Sequence, residues 1–377
     1  MPLPADPSGD AVTALLGDDP AGAAAERAVA EVRAGRPVLL THGAAGALVC
    51  GAEAFDARIA AGLKALAQAP LRLALTAPRL KALGAPRAEP GTIGDIDPAR
   101  VARLALDVGA HLAPDDVVMP LDPLDVAALD LLGLALVAPA AVVAPAAAAA
   151  VPQAILRLDV DAVRAHRARQ ATRLAIVGRA PVPLEGAGET EFVVFRGGEG
   201  LRDQVAVVVG TPDPAQAVPV RLHSACLTGD LFGSLKCDCG DQLRDTVQRM
   251  AREGGGILLY LDQEGRGNGI ANKMRAYNLQ AQGFDTYDAD AVLGFDLDQR
   301  RFDFAAEMLR QLGVHRVQLI TNNPLKVAAL KAAGLDVVAE HRVLGRPTAE
   351  NVRYLAAKRD RTGHFIDFDA LAARATD

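Results

Sequence analysis

Three of the four cysteines of this chain, Cys226, Cys237 and Cys239, fall within fourteen residues. Their segment is rich in Gly, Asp and Lys, a composition that is unusual for a hydrophobic core. In a reduced protein, clustered cysteines favour a metal site over a disulfide. The spacing C-x10-C-x-C lets the three thiols converge on one tetrahedral ion, so the fold has to bring both ends of this segment together.

Three protein ligands leave the fourth position of a tetrahedral zinc ion free for water, which is the pattern of catalytic rather than structural sites. Bound zinc lowers the pKa of such a water towards neutrality. Two alternatives stay open at this point: three buried cysteines without a metal, or a structural zinc with His223 as its fourth ligand. Cys50, alone in the other half of the chain, is interpreted as a core residue.

The length of 377 residues suits two domains better than one. Half of the residues are hydrophobic, but only 4% are aromatic and none is Trp, so the core has to consist of Ala, Leu and Val. This composition favours an α/β (α+β) protein. The formal net charge of -6 argues against a nucleic-acid binder, which would be basic.

The amino-terminal residues are acidic and lack the basic and apolar regions of a signal peptide. Residues 131–151 reach the length of a membrane span, but Pro139, Pro145 and the many alanines make it a poor one. We interpret this stretch as a buried segment that runs into a linker. We therefore expect a cytoplasmic protein without a membrane partner.

Short apolar runs alternate with helical patterns along the chain. Residues 218–223 and 256–261, for example, are predicted strands on either side of the cysteine segment. The basic run at 164–173 indicates a boundary. We predict two domains, 1–172 and 173–377.

The cysteine segment, HSACLTGDLFGSLKCDCGDQL, closely resembles the zinc-binding signature of GTP cyclohydrolase II. The resemblance continues in the family order through GILLYLDQEGRGNGIANKMRAYNLQAQGFDTYDAD, GFDLDQRRF and LITNNPLKV, and covers roughly residues 174–365. It implies a GTP cyclohydrolase II-like fold with a mixed sheet and flanking helices. It also implies one zinc ion per chain, held by Cys226, Cys237 and Cys239.

Two loops suit a nucleotide. Residues 263–269 follow a predicted strand and open a helix, which presents backbone N–H groups to an anion, although a plain turn would also explain the glycines. Residues 321–326 lie where open α/β sheets bind ligands, although Asn-Asn-Pro is also a simple helix cap. The resemblance implies that the residues in contact with GTP are Arg221, Gln242, Glu264, Gly265, Arg266, Thr286, Thr321 and Lys326.

The resemblance also implies three catalytic residues. Asp298 matches the family's proton acceptor, and Arg300 matches an arginine described as the nucleophile that releases pyrophosphate. Because a guanidinium stays protonated in proteins and is a poor nucleophile, we interpret Arg300 as an electrostatic clamp on the α-phosphate. Tyr277 matches a family tyrosine near the base and is expected to be a donor during ring opening.

Three positions depart from the family pattern. Ala225 replaces a usual Glu, Asp262 stands where many members carry Arg, and Arg301 stands where Asp is usual. The Ala225 change bears on one contact with the base. None of the three changes removes a cysteine of the cluster or the Asp298 and Arg300 pair.

Residues 26–84 faintly resemble 3,4-dihydroxy-2-butanone 4-phosphate synthase, through ERAVAEVRAGRPVLL, GALVC and LTAPRLKALG. That enzyme binds magnesium at an acidic loop after its first strand. Here the corresponding residues 41–46 hold no carboxylate, and a hard divalent cation would have nothing to bind. We expect this half to be a degenerate relative without catalysis.

The resemblance implies a homodimer that hydrolyses GTP to 2,5-diamino-6-ribosylamino-4(3H)-pyrimidinone 5′-phosphate, formate and pyrophosphate, the first step of riboflavin biosynthesis. Mg²⁺ is expected to bridge oxygens of the triphosphate. One rival is an enzyme of the same fold with an altered product or pathway, which Ala225 and Asp262 would favour. The other rival is a zinc-bearing nucleotide sensor without turnover.

Overall fold

The structure, a computed structural model, describes residues 19–87, 89–170, 173–198, 201–296 and 300–343. Contacts divide the chain into two compact units. Of the described residues, the first unit contains those from 19 to 169 and, in addition, 290–296. The second unit contains the described residues from 170 to 289 and from 300 to 343. The functional division into domains 1–172 and 173–377 stays a prediction, and it does not anticipate where residues 290–296 pack.

The first unit is built on a seven-stranded sheet. Its strands are β1 (Val38–His42), β2 (Ala45–Gly51), β3 (Arg72–Leu75), β4 (Gly91–Ile93), β5 (Val118–Pro120), β6 (Ala140–Pro145) and β7 (Arg157–Asp159). The spatial order is β5-β4-β3-β6-β2-β1-β7. Strands β1 and β7 are parallel, and the other neighbours are antiparallel.

Helices cover this sheet on both faces. They are α1 (Pro20–Arg33), α2 (Ala57–Leu66), α3 (Ala77–Ala82), α4 (Pro98–Leu106), α5 (Pro123–Leu134) and α6 (Val160–Gln170). Because alternate residues of a strand point to opposite faces, Leu39 packs in the core that contains α4, whereas Val38 and Leu40 pack in the core that contains α1. Cys50 is buried in the first of these cores, as its interpretation as a core residue requires.

The interpretation of residues 131–151 as a buried segment is confirmed, but the linker that it was expected to run into is not there. Residues 131–134 end α5, and residues 140–145 form β6, which pairs with both β2 and β3 at the centre of the sheet. Residues 140–144 are all buried. A short Ala/Val strand that is covered on both faces has no alternation of polar and apolar residues, so its sequence does not distinguish it from a linker. No described helix combines the length with the hydrophobicity that a membrane span requires.

The second unit also contains a seven-stranded sheet. Its strands are β8 (Ala175–Pro181), β9 (Thr190–Arg196), β10 (Gln204–Val209), β11 (Val218–Ser224), β12 (Gly256–Leu261), β13 (Arg316–Ile320) and β14 (Asp336–His341). The order is β14-β13-β11-β12-β10-β9-β8. The strands from β11 to β14 are parallel to their neighbours in that group, and the rest of the sheet is antiparallel. This mixed sheet with helices confirms the predicted fold class.

The helices of the second half are α7 (Leu227–Asp230), α8 (Cys239–Arg252), α9 (Ile270–Ala281), α10 (Thr286–Val292), α11 (Asp303–Gln311) and α12 (Pro324–Ala332). One core of the unit joins α11 and α12 to the sheet through residues such as Phe304, Leu330 and Leu222. Strands β13, β11 and β12 are parallel neighbours, so the loops that follow them meet at one edge of the sheet. These loops carry the candidate site.

Candidate functional site

The three clustered cysteines converge in the structure. Cys226 follows the end of β11, Cys237 lies in the loop after α7, and Cys239 begins α8. The sulfur atoms of Cys226 and Cys237 are 3.6 Å apart, and all three sulfur atoms lie within 4.8 Å of one another. Cys226 and Cys237 are buried, and Cys239 is half-buried. Within the described ranges, no other group of three or more His, Cys, Asp or Glu residues is arranged to hold a metal ion.

The surroundings of the sulfur atoms fit a metal ion as well. Gly229 lies so close that a Cβ atom there would be 2.6 Å from the Cys237 sulfur and 3.1 Å from the Cys226 sulfur. The lack of a side chain at Gly229 therefore leaves room for the convergent thiols. Three cysteine ligands in tetrahedral reach of one point are a donor set that zinc prefers. The cluster fits the zinc ion that the sequence predicts.

Lys273, on α9, connects the cysteine cluster to the loop after β12. Its Nζ atom lies 3.1 Å from the Cys226 sulfur and 2.6 Å from Oε1 of the buried Glu264. Burial opposes the charge of Lys273, but the Cys226 sulfur and Glu264 outweigh it and raise the pKa of Lys273. Hydrogen bonds from the other two thiols, together with Lys273, lower the pKa of Cys226. A thiolate at Cys226 is the form that binds a metal.

Glu264 has a second structural contact, because its Oε2 atom accepts a hydrogen bond of 2.6 Å from the backbone N–H of Leu227. This carboxylate thus fixes the start of α7 immediately after Cys226. The sequence alone does not indicate Lys273 as a site residue, since nothing local in the stretch NKMRAY distinguishes it from a solvated helix residue. Its partners are distant in the sequence: Glu264 is nine residues away and Cys226 is 47 residues away.

His223 makes other contacts. Its Nε2 atom lies 3.1 Å from Oδ1 of Asp230, and its ring stacks on Tyr260 with a centroid distance of 5.6 Å. Asp230 also accepts hydrogen bonds of 2.9 Å from the Tyr260 hydroxyl and from the backbone N–H of Cys226. The pKa of His223 is lowered, mainly because the ring is buried. His223 is not among the residues whose ligand atoms converge, so a structural site closed by His223 gains no support.

Four of the residues that are predicted to bind the nucleotide lie near one another around the ends of β11 and β13: Arg221, Gln242, Thr321 and Lys326. Arg221 donates hydrogen bonds of 2.6 Å to Oε1 of Gln242 and 3.4 Å to the carbonyl of Ile320. Burial lowers the pKa of Arg221 to about 10, which leaves it charged at neutral pH. Lys326 donates a hydrogen bond of 2.6 Å to the carbonyl of Leu222, and Thr321 accepts one from the backbone of residue 323.

The loop after β12 has an unusual backbone. Gly265 and Arg266 both adopt the left-handed region, with φ of 61°, which is uncommon for a residue with a side chain. The Arg266 guanidinium stacks on the ring of the buried Tyr287 at 3.9 Å. Tyr287 is adjacent to Thr286 at the start of α10, so this contact joins two parts of the predicted nucleotide site.

Arg300 lies close to the basic residues at the ends of β11 and β13. Its Nη1 atom donates to Oγ of Ser224 at 3.4 Å. The ring of Phe302 is 5.6 Å from the Arg300 guanidinium and 5.3 Å from the Lys326 ammonium. Asp298 lies outside the described residues.

Tyr277, on α9, is next to the cysteine cluster. The Nζ atoms of Lys236 and Lys273 lie 5.1 Å and 5.5 Å from the centre of its ring. Burial raises the pKa of Tyr277 to about 12. The Tyr277 hydroxyl therefore keeps its proton at neutral pH, as a hydrogen-bond donor must.

Two of the departures from the family pattern have local explanations. Asp262 accepts hydrogen bonds of 2.9 Å and 3.0 Å from the backbone N–H groups of Leu201 and Arg202, and pairs with the Arg202 side chain. Asp262 is therefore the anchor of a neighbouring loop. Arg301 pairs with Asp303 at the start of α11. Ala225 is buried, and nothing in the structure explains this substitution.

In the first unit, residues 41–46 belong to a tight hairpin between β1 and β2. Thr41 pairs with Gly46 and His42 pairs with Ala45, and Gly43 makes the turn with φ of 58°. The hairpin leaves residues 42–45 exposed without a carboxylate. Among the described residues of this unit, no three metal-ligating side chains lie close enough together to hold an ion.

Comparison with known proteins gives consistent matches. Residues 175–342 match the GTP cyclohydrolase II family. The GTP cyclohydrolase-2 of Xylella fastidiosa strain Temecula1 is 46% identical over 360 residues, which cover 92% of this chain and 88% of that protein. The GTP cyclohydrolase-2 of Azospirillum brasilense is 41% identical over 78% of this chain and 74% of its own length.

Two further proteins also show similarity. The riboflavin biosynthesis protein RibBA of Cytophaga hutchinsonii is 43% identical over 48% of this chain and 44% of its own length. The crystal structure of RibBX, a two-domain 3,4-dihydroxy-2-butanone 4-phosphate synthase from A. baumannii, covers 85% of this chain with 17% identity and a TM-score of 0.32. At that TM-score the likeness supports no conclusion about this chain.

Proposed function

Because this chain belongs to the GTP cyclohydrolase II family, we propose that it uses zinc to hydrolyse GTP to 2,5-diamino-6-ribosylamino-4(3H)-pyrimidinone 5′-phosphate, formate and pyrophosphate. This reaction is the first step of riboflavin biosynthesis. The observation that carries the proposal is the convergence of three cysteine sulfur atoms beside a cluster of buried basic residues at one edge of a parallel sheet. A metal centre for hydrolysis and a cationic site for a triphosphate are the two parts that the reaction needs.

Cys226, Cys237 and Cys239 would hold the zinc ion. When bound with an open fourth position, zinc supplies an activated water for hydrolysis. The chain contributes the charge balance around it. Lys273 offsets the negative charge of the thiolates, and Glu264 holds Lys273 in place with a contact of 2.6 Å. Outer contacts of this kind orient metal ligands and tune their affinity.

The basic residues would bind and orient the nucleotide. Arg221 and Lys326 have their charges in a buried environment, where attraction to phosphate is stronger than in water. Gln242 and Thr321 offer polar groups beside them, and Arg266 is held on Tyr287. With Glu264, Gly265 and Thr286, these are the residues that we assign to GTP. Mg²⁺ would accompany the triphosphate and offset part of its charge.

Arg300 would stabilise charge at the α-phosphate as pyrophosphate leaves. Its guanidinium is a fixed, permanently charged donor, so it acts as an electrostatic clamp and not as a nucleophile. Asp298 would accept a proton in the same region. Tyr277, whose pKa is raised to about 12 by burial, would donate a hydrogen bond from its hydroxyl during ring opening.

An enzyme with an altered product gains no support from Asp262, because that residue is occupied in holding the backbone of Leu201 and Arg202. A zinc-bearing sensor without turnover would need the same convergent cysteines, so it is distinguished from the enzyme by the assay for products. We further propose that the protein is a cytoplasmic homodimer, and that the first half is a degenerate 3,4-dihydroxy-2-butanone 4-phosphate synthase-like domain that does not catalyse a reaction.

The test is incubation of the zinc-loaded protein with GTP, with formate and pyrophosphate measured together. Equal amounts of both products support the proposal. Pyrophosphate without formate would identify an enzyme that keeps the formyl group, and GTP binding without either product would identify a sensor. ATP in place of GTP is the control for recognition of the base, and protein treated with a chelator is the control for the metal.

A further inference from the structure

Residues 290–296 lie between Thr286 and Arg300 in the sequence and fall within the part of the chain that matches the GTP cyclohydrolase II family. They nevertheless pack in the first unit. Leu293, Gly294 and Phe295 are buried there. A segment from the catalytic half is thus part of the structure of the other half.

The segment ends α10 in a defined way. The N–H of Phe295 bonds to the carbonyl of Asp290, and the N–H of Gly294 bonds to the carbonyl of Ala291, both at 2.9 Å. This is the Schellman pattern, which needs a left-handed residue at the position of Gly294. Gly294 has φ of 92°, as the pattern requires.

Helix α3 of the first unit binds two carbonyls of this helix end. Arg79, which is 2% exposed, donates a hydrogen bond of 2.8 Å to the carbonyl of Val292. Its guanidinium also bonds to the carbonyls of Leu104 at 2.8 Å and Asp107 at 2.6 Å, so it is fixed by several contacts. Carbonyls at a helix end lack helical partners, and a buried one has to find another donor.

Thr76 makes the second contact between α3 and the end of α10. It is the residue before the first turn of α3, where a Thr side chain usually accepts a hydrogen bond from its own helix. Here the side chain makes no such bond, and its hydroxyl donates to the carbonyl of Gly294 at 2.6 Å. A Cβ at Gly294 would lie 3.1 Å from Oγ1 of Thr76 and 3.2 Å from Cβ of Arg79, so the two surfaces fit closely.

We propose that Thr76 and Arg79 are positioning residues for the GTP reaction, and that they do so by holding the helix end at 292–294, which precedes Arg300 by only six residues in the sequence. The inference rests on the proposed function. Its physical basis is that a small displacement of a group in a reactive site costs a large factor in rate. The first half then supports the chemistry of the second without catalysing any of it.

The test compares full-length variants. Thr76→Val removes the hydroxyl at nearly constant shape, and Gly294→Ala perturbs the same contact from the segment side. We expect kcat for GTP to fall about tenfold or more in both, with KM changed by less than about twofold, because the nucleotide contacts themselves are untouched. Thr76→Ser, which keeps the hydroxyl, should restore kcat.

Arg33→Met is the matched control, because Arg33 donates a comparable hydrogen bond of 3.0 Å to the carbonyl of Ala135, far along the chain from the segment. It should keep the kcat of the natural sequence. Hydrogen exchange gives a readout without GTP: the amides of Gly294 and Phe295 should exchange faster in Thr76→Val but not in Arg33→Met.

A natural kcat with unchanged exchange at these amides in Thr76→Val and Gly294→Ala would overturn the inference. Faster exchange throughout the first unit would overturn it too, since Thr76 would then only stabilise the fold. If the unmutated protein releases neither formate nor pyrophosphate from GTP, the proposed function fails together with the rate effect. Hydrogen exchange then still decides whether α3 holds the segment.

Discussion

The ammonium nitrogen of Lys273 lies 3.1 Å from the sulfur of Cys226, although the two residues are 47 positions apart in the sequence. The same nitrogen contacts Glu264, which in turn holds the backbone at Leu227. A cation and an anion thus flank the first cysteine, and the loop after β12 is tied to the start of α7. Metal affinity and the backbone shape of the loop after β12 should therefore depend on one another.

Replacement of Lys273 tests this coupling. Lys273→Met removes the cation beside Cys226 and leaves the buried Glu264 carboxylate without its partner. We expect zinc affinity, measured by competition with a chelator, to fall about tenfold or more, as for other outer contacts of metal sites. Lys331→Met, which affects only an exposed pair with Glu340, is the control. Equal affinity in both variants would contradict the coupling.

The three cysteines that we propose as zinc ligands give the second prediction. Cys237→Ser should lose both zinc and ring opening, because one of three convergent sulfur ligands is removed. Cys50→Ala, at a buried cysteine of the first unit, should keep one zinc ion per chain in elemental analysis. The metal assignment is refuted by full GTP hydrolysis in protein that contains no zinc.

Gly229→Ala gives a third prediction, which tests the geometry and leaves the ligands unchanged. The added Cβ would lie 2.6 Å from the Cys237 sulfur, closer than real Cβ contacts allow. We expect zinc content to fall while the far-ultraviolet circular dichroism spectrum stays unchanged. Gly188→Ala, where a Cβ meets nothing within 4 Å, is the control. Normal zinc binding in Gly229→Ala would mean that the sulfur atoms do not converge as described.

The fourth prediction uses Arg300→Lys to test the proposed contact of Arg300 with the α-phosphate. Lysine keeps the positive charge but loses the planar fork of donors that matches a phosphate. We expect pyrophosphate release to slow about a hundredfold, the usual size of such an electrostatic contribution. Arg301→Lys should have little effect, since Arg301 pairs with Asp303. An unchanged rate of pyrophosphate release in Arg300→Lys would remove Arg300 from the mechanism.

The fifth prediction is that the first half does not convert ribulose 5-phosphate in the presence of magnesium. Its hairpin at residues 41–46 offers no carboxylate to a hard cation. The full-length protein should leave this substrate unchanged over a time in which it consumes GTP. Formation of 3,4-dihydroxy-2-butanone 4-phosphate would show that this half is an enzyme in its own right.

Much of the second unit could be predicted from the sequence because its signals are local. The strand predicted at 256–261 is β12 with the same bounds, and the strand predicted at 218–223 ends one residue later in the structure. Residues 257–261 are a continuous apolar run of Ile, Leu and Tyr, and in 218–223 the apolar Val218, Val220 and Leu222 recur at every second position; both patterns favour a strand. The three cysteines could be assigned to one site because their spacing alone lets them meet.

The rest depends on contacts between distant residues. Strand β6 could not be recognised because a short Ala/Val run that is buried on both faces resembles a linker as much as a strand. Lys273 gives no local signal, since its partners Cys226 and Glu264 come from other loops. The hydroxyl of Thr76 would be expected to cap its own helix, and only the packed structure shows that Gly294 receives its hydrogen bond.

The packing of residues 290–296 with α3 has a consequence for how the two halves can evolve. If the first half has lost its own chemistry, the surface formed by Thr76, Arg79 and Pro139 around Gly294 remains under selection. Gene fission near residue 172, or exchange of the first half for that of a relative, would break this surface. We therefore expect substitutions at Gly294 to occur together with compensating changes in α3.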